Sequence, residues 1–416
     1  MKKNSAALLT VFLAVLIDLM GFGIVLPLLP FYAQIFRASA VQIGLLYSIY
    51  SFAQLIFSPI WGGLSDRVGR RPIMLMSTLG ASFAYLLFGF SNSLALLFVS
   101  RLLAGVMGGN ISTAQAYVAD VTTHEDRAKG MGLIGAAFGI GFAIGPAIAT
   151  LLIHPAFLKS FHIAEAHRFA IPGFFAAFLS LSSFLLVFFK LPETVKKTGN
   201  DSARIVRSSV FTRTFWQSIF EEKESGIKHL FPMFMASMFL LSFAQSSLYS
   251  SFPLFCKQVL NFSAEQVGTM FVYMGVIAIV IQGGLIKFLT KQFGEKKLFL
   301  FGSVLMTSGF FLLPFAYSKG ILTIFLCLMS VGASLNGPTL TSLISKEADP
   351  ARVGVTMGTS QGIASLGRVI GPTWGGFLYD VSHSLPFLLT ASFLSMTILI
   401  GSKLQALKIH ERAATL

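Results

Sequence analysis

The stretch Trp61-Gly-Gly-Leu-Ser-Asp-Arg-Val-Gly-Arg-Arg-Pro72 lies between two strongly apolar segments. It combines one carboxylate, Asp66, with three arginines and three glycines. A segment with so many polar groups cannot lie in hydrocarbon, where each unsatisfied polar group costs several kcal/mol. We therefore predict that it is a charged cytoplasmic hinge between two membrane-spanning helices, because arginines collect on the cytoplasmic side.

The composition of the whole chain agrees with a membrane protein. Of its 416 residues, 54% are hydrophobic and only 12% are charged, and the mean hydropathy is +0.76. Soluble domains carry about 25% charged residues. Because one helix needs roughly 20 apolar residues to cross a bilayer, the chain has room for about twelve spans.

Basic residues recur in alternate loops of the chain. The formal net charge is +14, and 24 of the 31 Lys and Arg fall in one of the two sets of loops, together with both termini. This pattern indicates the cytoplasmic face of a bilayer rather than a nucleic-acid surface. We predict a multi-pass protein of the cytoplasmic (inner) cell membrane, with an even number of spans and both termini cytoplasmic.

The apolar segments form a six-plus-six pattern. They lie near 6–36, 43–61, 73–91, 94–119, 130–153 and 169–190, and then near 229–256, 265–289, 297–317, 320–345, 354–380 and 384–404. A Gly-Pro pair at Gly145-Pro146 has a counterpart at Gly371-Pro372, which indicates a parallel repeat. The predicted fold is an all-α membrane protein with two six-helix bundles, residues 1–190 and 229–416, joined by a cytoplasmic linker, residues 191–228.

Three ionisable residues lie inside predicted spans: Asp18, Arg101 and Arg368. Charges within a membrane are expensive and normally face protein or a water-filled cavity, where they have a role. Because burial raises and a nearby cation lowers the proton affinity of a carboxylate, we predict proton coupling through Asp18 and Arg101. The alternative is a static Asp18–Arg101 ion pair that holds two helices together.

Amides and hydroxyls within Phe- and Met-rich spans are the candidate substrate ligands, because a hydrophobic ligand needs an apolar cavity with few polar anchors. They are Gln54, Gln115, Gln245, Tyr249, Asn336, Gln361 and Arg368. Alternatively, Arg368 neutralises helix C-terminal carbonyls and is purely structural.

The hinge and the Gly-Pro helix supply the predicted gating residues. We expect Asp66 to accept hydrogen bonds at a helix N-terminus and the arginines to bind a carboxylate such as Asp120. The full set is Gly63, Asp66, Arg67, Gly69, Arg70, Arg71, Asp120, Gly145 and Pro146. The alternatives are that Arg70 and Arg71 only set the topology, and that the glycines only allow close helix packing.

The sequence does not predict an enzyme. It has no phosphate-binding Gly-Lys-Ser/Thr loop and no evident pair of nucleophile and base. The histidines of the loop near 154–168 do not have metal-ligand spacing, and Cys256 and Cys327 are isolated. We therefore expect no cofactor and no metal.

These features together resemble the major facilitator superfamily, and most closely its drug:proton antiporter group, which includes tetracycline exporters. The resemblance rests on Asp18 with Pro27 and Pro30, the 61–72 loop, the segment from Arg101 to Asp120, and Gly145-Pro146. It implies a monomeric secondary transporter that exports a small hydrophobic or amphipathic molecule in exchange for protons, by alternating access. The alternatives are a proton-coupled importer or uniporter of a small metabolite, and a non-transporting receptor or scaffold.

Overall fold

A computed structural model describes residues 2–122, 127–194, 230–347 and 353–414, and all regular secondary structure in these ranges is helical. The helices of the first half are α1 (Lys2–Val25), α2 (Leu29–Ile35), α3 (Ala40–Val68), α4 (Arg70–Gly89), α5 (Leu94–Met107), α6 (Asn110–Val121), α7 (Arg127–Leu152), α8 (Pro155–Ser160) and α9 (Ala170–Lys190). Those of the second half are α10 (Phe231–Val259), α11 (Ala264–Val280), α12 (Ile286–Phe293), α13 (Glu295–Leu312), α14 (Lys319–Glu347), α15 (Val353–Val381) and α16 (Leu385–Ala414).

Eleven helices in these described ranges are long and apolar enough to cross a membrane. Two of them are interrupted: α5 and α6 form one span over Leu94–Val121, and α11 continues through a π-helical segment, Ile281–Leu285, into α12. The twelfth long helix is α15, whose 29 residues are rich in Gly, Ser and Thr. The architecture confirms the predicted all-α fold of twelve spans.

The apolar run near 6–36 predicts one continuous span, but in the structure this run is divided between two helices. Helix α1 ends at Val25 and α2 begins at Leu29. Pro27 and Pro30 explain the break, because proline lacks an N–H group and disfavours a helical conformation in the residue before it. The result is a full span followed by a short helix with a buried inner face.

The described residues form two compact units. Unit 1 takes its residues from Met1–Ser39, Leu46–Val206 and Asn261–Gly275, and unit 2 from Ala40–Leu45, Arg207–Leu260 and Val276–Leu416. The predicted linker, residues 191–228, lies outside the described residues from position 195 onward. Because unit 2 includes Ala40–Leu45, the first turn of α3 belongs to it. There, Ala40 N and Val41 N donate to the Asp380 carboxylate at 3.1 and 3.0 Å.

In unit 1, glycines allow α1 and α7 to pack at backbone distance. A Cβ atom at Gly145 would lie 2.7 Å from the backbone of Gly23, and one at Gly141 would lie 2.7 Å from the Leu19 Cβ. The core beside this seam contains fully buried side chains such as Val11 and Tyr117. Close packing is thus one role that these glycines have, and the predicted gating role of Gly145 and Pro146 stays a prediction.

In unit 2, small residues join α10 to α15. Ser246 Oγ donates to the Gly367 carbonyl at 3.1 Å, and Ser250 Oγ donates to the Pro372 carbonyl at 2.9 Å. A Cβ atom at Gly371 would lie 2.4 Å from the Phe243 carbonyl oxygen. Because no larger residue fits this seam, α10 and α15 are held in a fixed register that positions their polar side chains.

Candidate functional site

The guanidinium group of Arg70 is the centre of the charged hinge. Its Nη1 atom lies 2.5 Å from Asp66 Oδ1 and donates to Ser65 Oγ at 2.7 Å, and its Nε atom donates to Asp120 Oδ2 at 3.1 Å. The Arg70 side chain is only 10% exposed. Buried charges need paired and hydrogen-bonded partners, and Arg70 has two carboxylates and a hydroxyl, which link α3 and α4 to the end of α6.

A carboxylate that sequence reasoning missed, Glu193, caps the N-terminus of α4. Its two oxygens accept hydrogen bonds from Arg70 N at 3.0 Å and Arg71 N at 3.1 Å. We expected Asp66 to bind a helix N-terminus, but at α4 that position is occupied by Glu193, and Asp66 pairs with Arg70 instead. A carboxylate is favoured there because the first N–H groups of a helix are unsatisfied and the helix dipole is positive.

The residue after Glu193 extends the network. Thr194 Oγ1 donates to Asp120 Oδ2 at 3.0 Å, so both Arg70 and Thr194 contact the same carboxylate oxygen. Tyr117 Oη also donates to the Pro192 carbonyl at 3.0 Å. The segment after α9 is therefore connected to α6 as well as to α4.

The remaining hinge residues have different surroundings. Arg71 Nη2 donates to the Phe188 carbonyl at 2.6 Å. Gly69 has φ of +115°, and a Cβ atom there would lie 2.4 Å from a Glu193 oxygen, so both conformation and space require glycine. Arg67 is exposed and makes no polar contact with a described residue, and Gly63 has open space beside it.

A tyrosine lies close to the predicted proton-coupling residues of unit 1. The ring centroid of Tyr85, on α4, is 5.7 Å from the guanidinium carbon of Arg101, and Tyr85 is within electrostatic range of Asp18. A Cβ atom at Gly21 would be 3.0 Å from the Tyr85 hydroxyl, which therefore lies against α1 about one turn beyond Asp18. The cluster thus combines a carboxylate, a hydroxyl and a fixed cation from three helices.

Arg101 is 2% exposed and is surrounded mainly by aromatic groups. Its guanidinium carbon lies 5.1 Å from the Phe88 ring centroid and 5.7 Å from that of Tyr85. Its Nε and Nη2 atoms have no hydrogen-bond partner within the described residues. Cation–π contacts partly offset the cost of burying this charge.

The sequence analysis did not select Tyr85. A tyrosine within a span is an apolar ring with one hydroxyl that needs a partner when buried, and this is the only signal that would have indicated it. Which partner it finds depends on the rotation of α4, which the sequence pattern does not specify.

In unit 2, three predicted substrate ligands come together. Gln245 Nε2 donates to Tyr249 Oη at 3.1 Å across one turn of α10, and Tyr249 interacts electrostatically with Arg368 on α15. Arg368 Nη2 donates to Ser365 Oγ at 2.6 Å. These contacts bring the guanidinium, the phenol and the amide together at one place between α10 and α15.

The other predicted ligands lie elsewhere. Asn336 is 1% exposed and packs between α13 and α14, where its Oδ1 accepts from Ser303 Oγ at 3.5 Å. Gln54 Nε2 donates to the Gly108 carbonyl at 2.9 Å, which links α3 to the break between α5 and α6. Gln115 and Gln361 are exposed. The geometry therefore gives Asn336 and Gln54 packing contacts and leaves the cluster around Arg368 as the best-formed polar site of unit 2.

Within the described residues, no group of three or more His, Cys, Asp and Glu side chains has a geometry that would hold a metal ion. In the loop after α7, His154 Nδ1 accepts a hydrogen bond from Ala156 N at 3.2 Å and caps α8.

Comparison with known proteins agrees with this geometry. The sequence matches the family described as Major Facilitator Superfamily over residues 11–372 and 283–412. It is 29% identical to Multidrug resistance protein 1 of Bacillus subtilis, over 96% of each chain. It is 30% identical to the class B tetracycline resistance protein of Escherichia coli, over 89% of this chain and 87% of that protein.

A solved structure is also similar over nearly the whole chain. The human organic anion transporter MFSD10 (TETRAN) superimposes with a TM-score of 0.71 at 26% identity, and the alignment covers 96% of this chain and 99% of that one. These similar proteins are transporters or resistance proteins rather than enzymes, in agreement with the sequence analysis.

Proposed function

Because the chain belongs to the Major Facilitator Superfamily, and is therefore a multi-pass membrane transporter of small molecules, we propose that it exports hydrophobic or amphipathic organic molecules in exchange for protons. The resistance activities named for its bacterial relatives support export. We place the protein in the cytoplasmic membrane with both termini cytoplasmic, because the predicted topology puts the basic loops and both termini on the same side. We further propose that it acts as a monomer.

The cluster of Asp18, Tyr85 and Arg101 is the observation that supports proton coupling. Burial favours the neutral form of a carboxylate and a nearby cation favours its charged form, so the charge of a carboxylate within a span depends on its surroundings. Small movements of α1 relative to α4 change this balance. Asp18 therefore takes up and releases a proton as the transporter changes conformation.

The cluster of Gln245, Tyr249 and Arg368 supports an amphipathic substrate with a polar or anionic group. The human relative described as an organic anion transporter agrees with a cationic anchor. In this proposal the Arg368 guanidinium pairs with the polar group of the substrate, and Gln245 and Tyr249 donate hydrogen bonds.

The hinge around Arg70 has a gating role in this proposal. Arg70 bonds to Asp66 and Asp120 and through its backbone to Glu193, so its contacts can be broken or made together when α4 moves. Asp66 and Asp120 belong to unit 1, whereas the residues of the substrate cluster belong to unit 2. Asp66→Ala is therefore expected to slow turnover while equilibrium ligand affinity changes little.

Transport into everted membrane vesicles tests export and coupling together. With an imposed proton gradient, we expect accumulation of a fluorescent amphiphile, with fluorescein and ethidium as anionic and cationic probes. Asp18→Asn should abolish gradient-driven accumulation while the protein still inserts and binds the probe. Accumulation by the Asn variant would refute the coupling assignment, and proton-driven uptake only into right-side-out vesicles would identify an importer.

Arg368 is tested separately by ligand binding to purified protein. If the planar guanidinium group of Arg368 binds the substrate through paired hydrogen bonds, Arg368→Lys should already lower the affinity for the substrate, because Lys cannot form such a pair. Arg368→Gln should lower it further. Normal affinity in Arg368→Gln, together with a lowered melting temperature, would show that Arg368 is only structural.

A further inference from the structure

An apolar groove of about 700 Å³ lies in unit 2 between the α11–α12 span and helices α13 and α14. Its walls include Val276, Val280, Leu285 and Phe293 on the α11–α12 span and Phe301 on α13. Among the described residues that line the groove, Lys297 alone carries a charged side chain. The groove is thus apolar along its length, with one positively charged side chain, that of Lys297, at one end.

The dimensions of the groove match a lipid chain. From Val276 to Phe293, the α11–α12 span covers 18 residues, and the 17 steps between them rise about 25 Å at about 1.5 Å per residue. This exceeds half of the hydrocarbon thickness, which is about 30 Å in total. An acyl chain from one leaflet can therefore lie along the wall over its whole length.

The span that forms this wall is unusually uncovered. Only 22% of its membrane window is buried, the lowest share among the eleven candidate spans of the described ranges. Its π-helical segment carries the pair Gly283-Gly284, and a Cβ atom at either glycine would meet nothing within 4 Å. Protein contacts from the described residues therefore do not fill this side of unit 2, and lipid is a solvent that can cover it.

Charge at the rim of the groove selects among lipids. Lys287, Lys291, Lys296 and Lys297 surround the turn between α12 and α13, and none forms an ion pair with a described residue. The nearby acid Glu295 pairs with Lys346 and accepts from Ser342 Oγ at 3.2 Å. The rim thus carries excess positive charge beside an apolar channel.

We propose that this groove binds one acyl chain of an anionic phospholipid, whose phosphate group pairs with Lys297. The acyl chain replaces the missing protein contacts, and the headgroup supplies the negative charge that the lysine cluster lacks. Zwitterionic lipids share the chain but gain less from the lysines, because one Lys near the surface contributes about 1 kcal/mol to the binding of anionic lipid. This inference does not depend on the direction of transport.

Native mass spectrometry of the delipidated full-length protein tests the proposal with dioleoyl phosphatidylglycerol and dioleoyl phosphatidylcholine. We expect the wild type to bind its first phosphatidylglycerol at least about fivefold more tightly than phosphatidylcholine. Lys297→Gln should remove about fivefold of this preference. Lys319→Gln, an exposed lysine at the other end of the α13–α14 hairpin, is the matched control and should keep it.

The acyl-chain part is tested by filling the groove. Val280→Trp should weaken binding of both lipids, whereas Val381→Trp, at an exposed valine of α15, should not. Lys297→Arg, which keeps the charge, should bind as the wild type and controls for folding. Equal binding of the two lipids by the wild type, or the same preference in Lys297→Gln and Lys319→Gln, would overturn the proposal. Displacement of the bound lipid by ethidium at transport concentrations would assign the groove to substrate instead.

Discussion

Removal of the Glu193 carboxylate is expected to loosen the hinge at the start of α4. In the structure, this side chain accepts from the first two backbone N–H groups of the helix, at 3.0 and 3.1 Å. Replacing a capping acceptor by Ala costs about 1 kcal/mol. Losing a negative charge at a helix N-terminus costs about 0.5 kcal/mol more at an exposed site. Glu193→Ala should therefore lower the free energy of unfolding by about 1.5 kcal/mol.

That loss corresponds to a fall in melting temperature of about 3–6 °C for a unit of this size. Thermal unfolding of the purified protein in detergent is the assay. Glu193→Gln keeps one acceptor oxygen and loses the charge, so its melting temperature should fall by about half as much. Glu347→Ala is the matched control, because this partly exposed acid lies in the last turn of α14, where the helix dipole does not favour negative charge.

The two variants should also differ in transport. Without the cap, α4 holds Arg70 less firmly against Asp66 and Asp120, so Glu193→Ala should slow turnover while ligand affinity remains close to the wild-type value. If Glu193→Ala and Glu347→Ala have the same melting temperature and turnover, the capping contact has no energetic role, and the argument for the hinge network fails.

Three further substitutions test the sites and the packing that positions them. Gly69→Ala should lower the melting temperature more than removal of the capping carboxylate does, because it adds backbone strain at φ of +115° and displaces that carboxylate; a neutral effect would contradict the observed backbone. Gly371→Ala places a Cβ atom 2.4 Å from α10 and should lower the free energy of unfolding by about 1–3 kcal/mol. Gly358→Ala, on the same helix but with open space beside it, should raise it by about 0.5–1 kcal/mol. If thermal unfolding shows changes of the same sign for both variants, the close packing of α10 and α15 at Gly371 is refuted. Tyr85→Phe keeps the ring but removes the hydroxyl, so proton-driven transport should fall at an unchanged melting temperature; wild-type transport would exclude the hydroxyl from coupling.

The sequence alone was sufficient to predict the spans and the charged hinge. Hydrocarbon offers no hydrogen-bond partners, so any apolar run of sufficient length must form a helix. The same rule places Asp66 and three arginines outside the hydrocarbon, although the structure builds this segment from the end of α3, Gly69 and the start of α4 rather than from a loop. The rule does not predict interruptions within an apolar run: Pro27 breaks the helix at the end of the first span, and α5 and α6 are separated within the apolar segment 94–119.

The partners of each charged residue depended on the tertiary structure. Arg70 and Asp120 are 50 residues apart and meet because α4 packs beside α6. Glu193 is 123 residues from Arg70 and lies in a segment without any motif that predicts a helix cap. Such contacts depend on helix rotation and on the loop after α9, neither of which has a local sequence signature.

The same distinction separates the candidate ligands of unit 2. By sequence, Asn336 and Gln245 are equivalent amides in apolar spans, and hydropathy cannot say which side of a helix faces a cavity. In the structure, Asn336 is enclosed between α13 and α14, whereas Gln245 bonds to Tyr249 near Arg368. The glycine and serine seam between α10 and α15 decides this outcome, because close backbone packing fixes the rotation of both helices. The sequence thus determined which polar groups enter the membrane, and helix packing decided which of them meet.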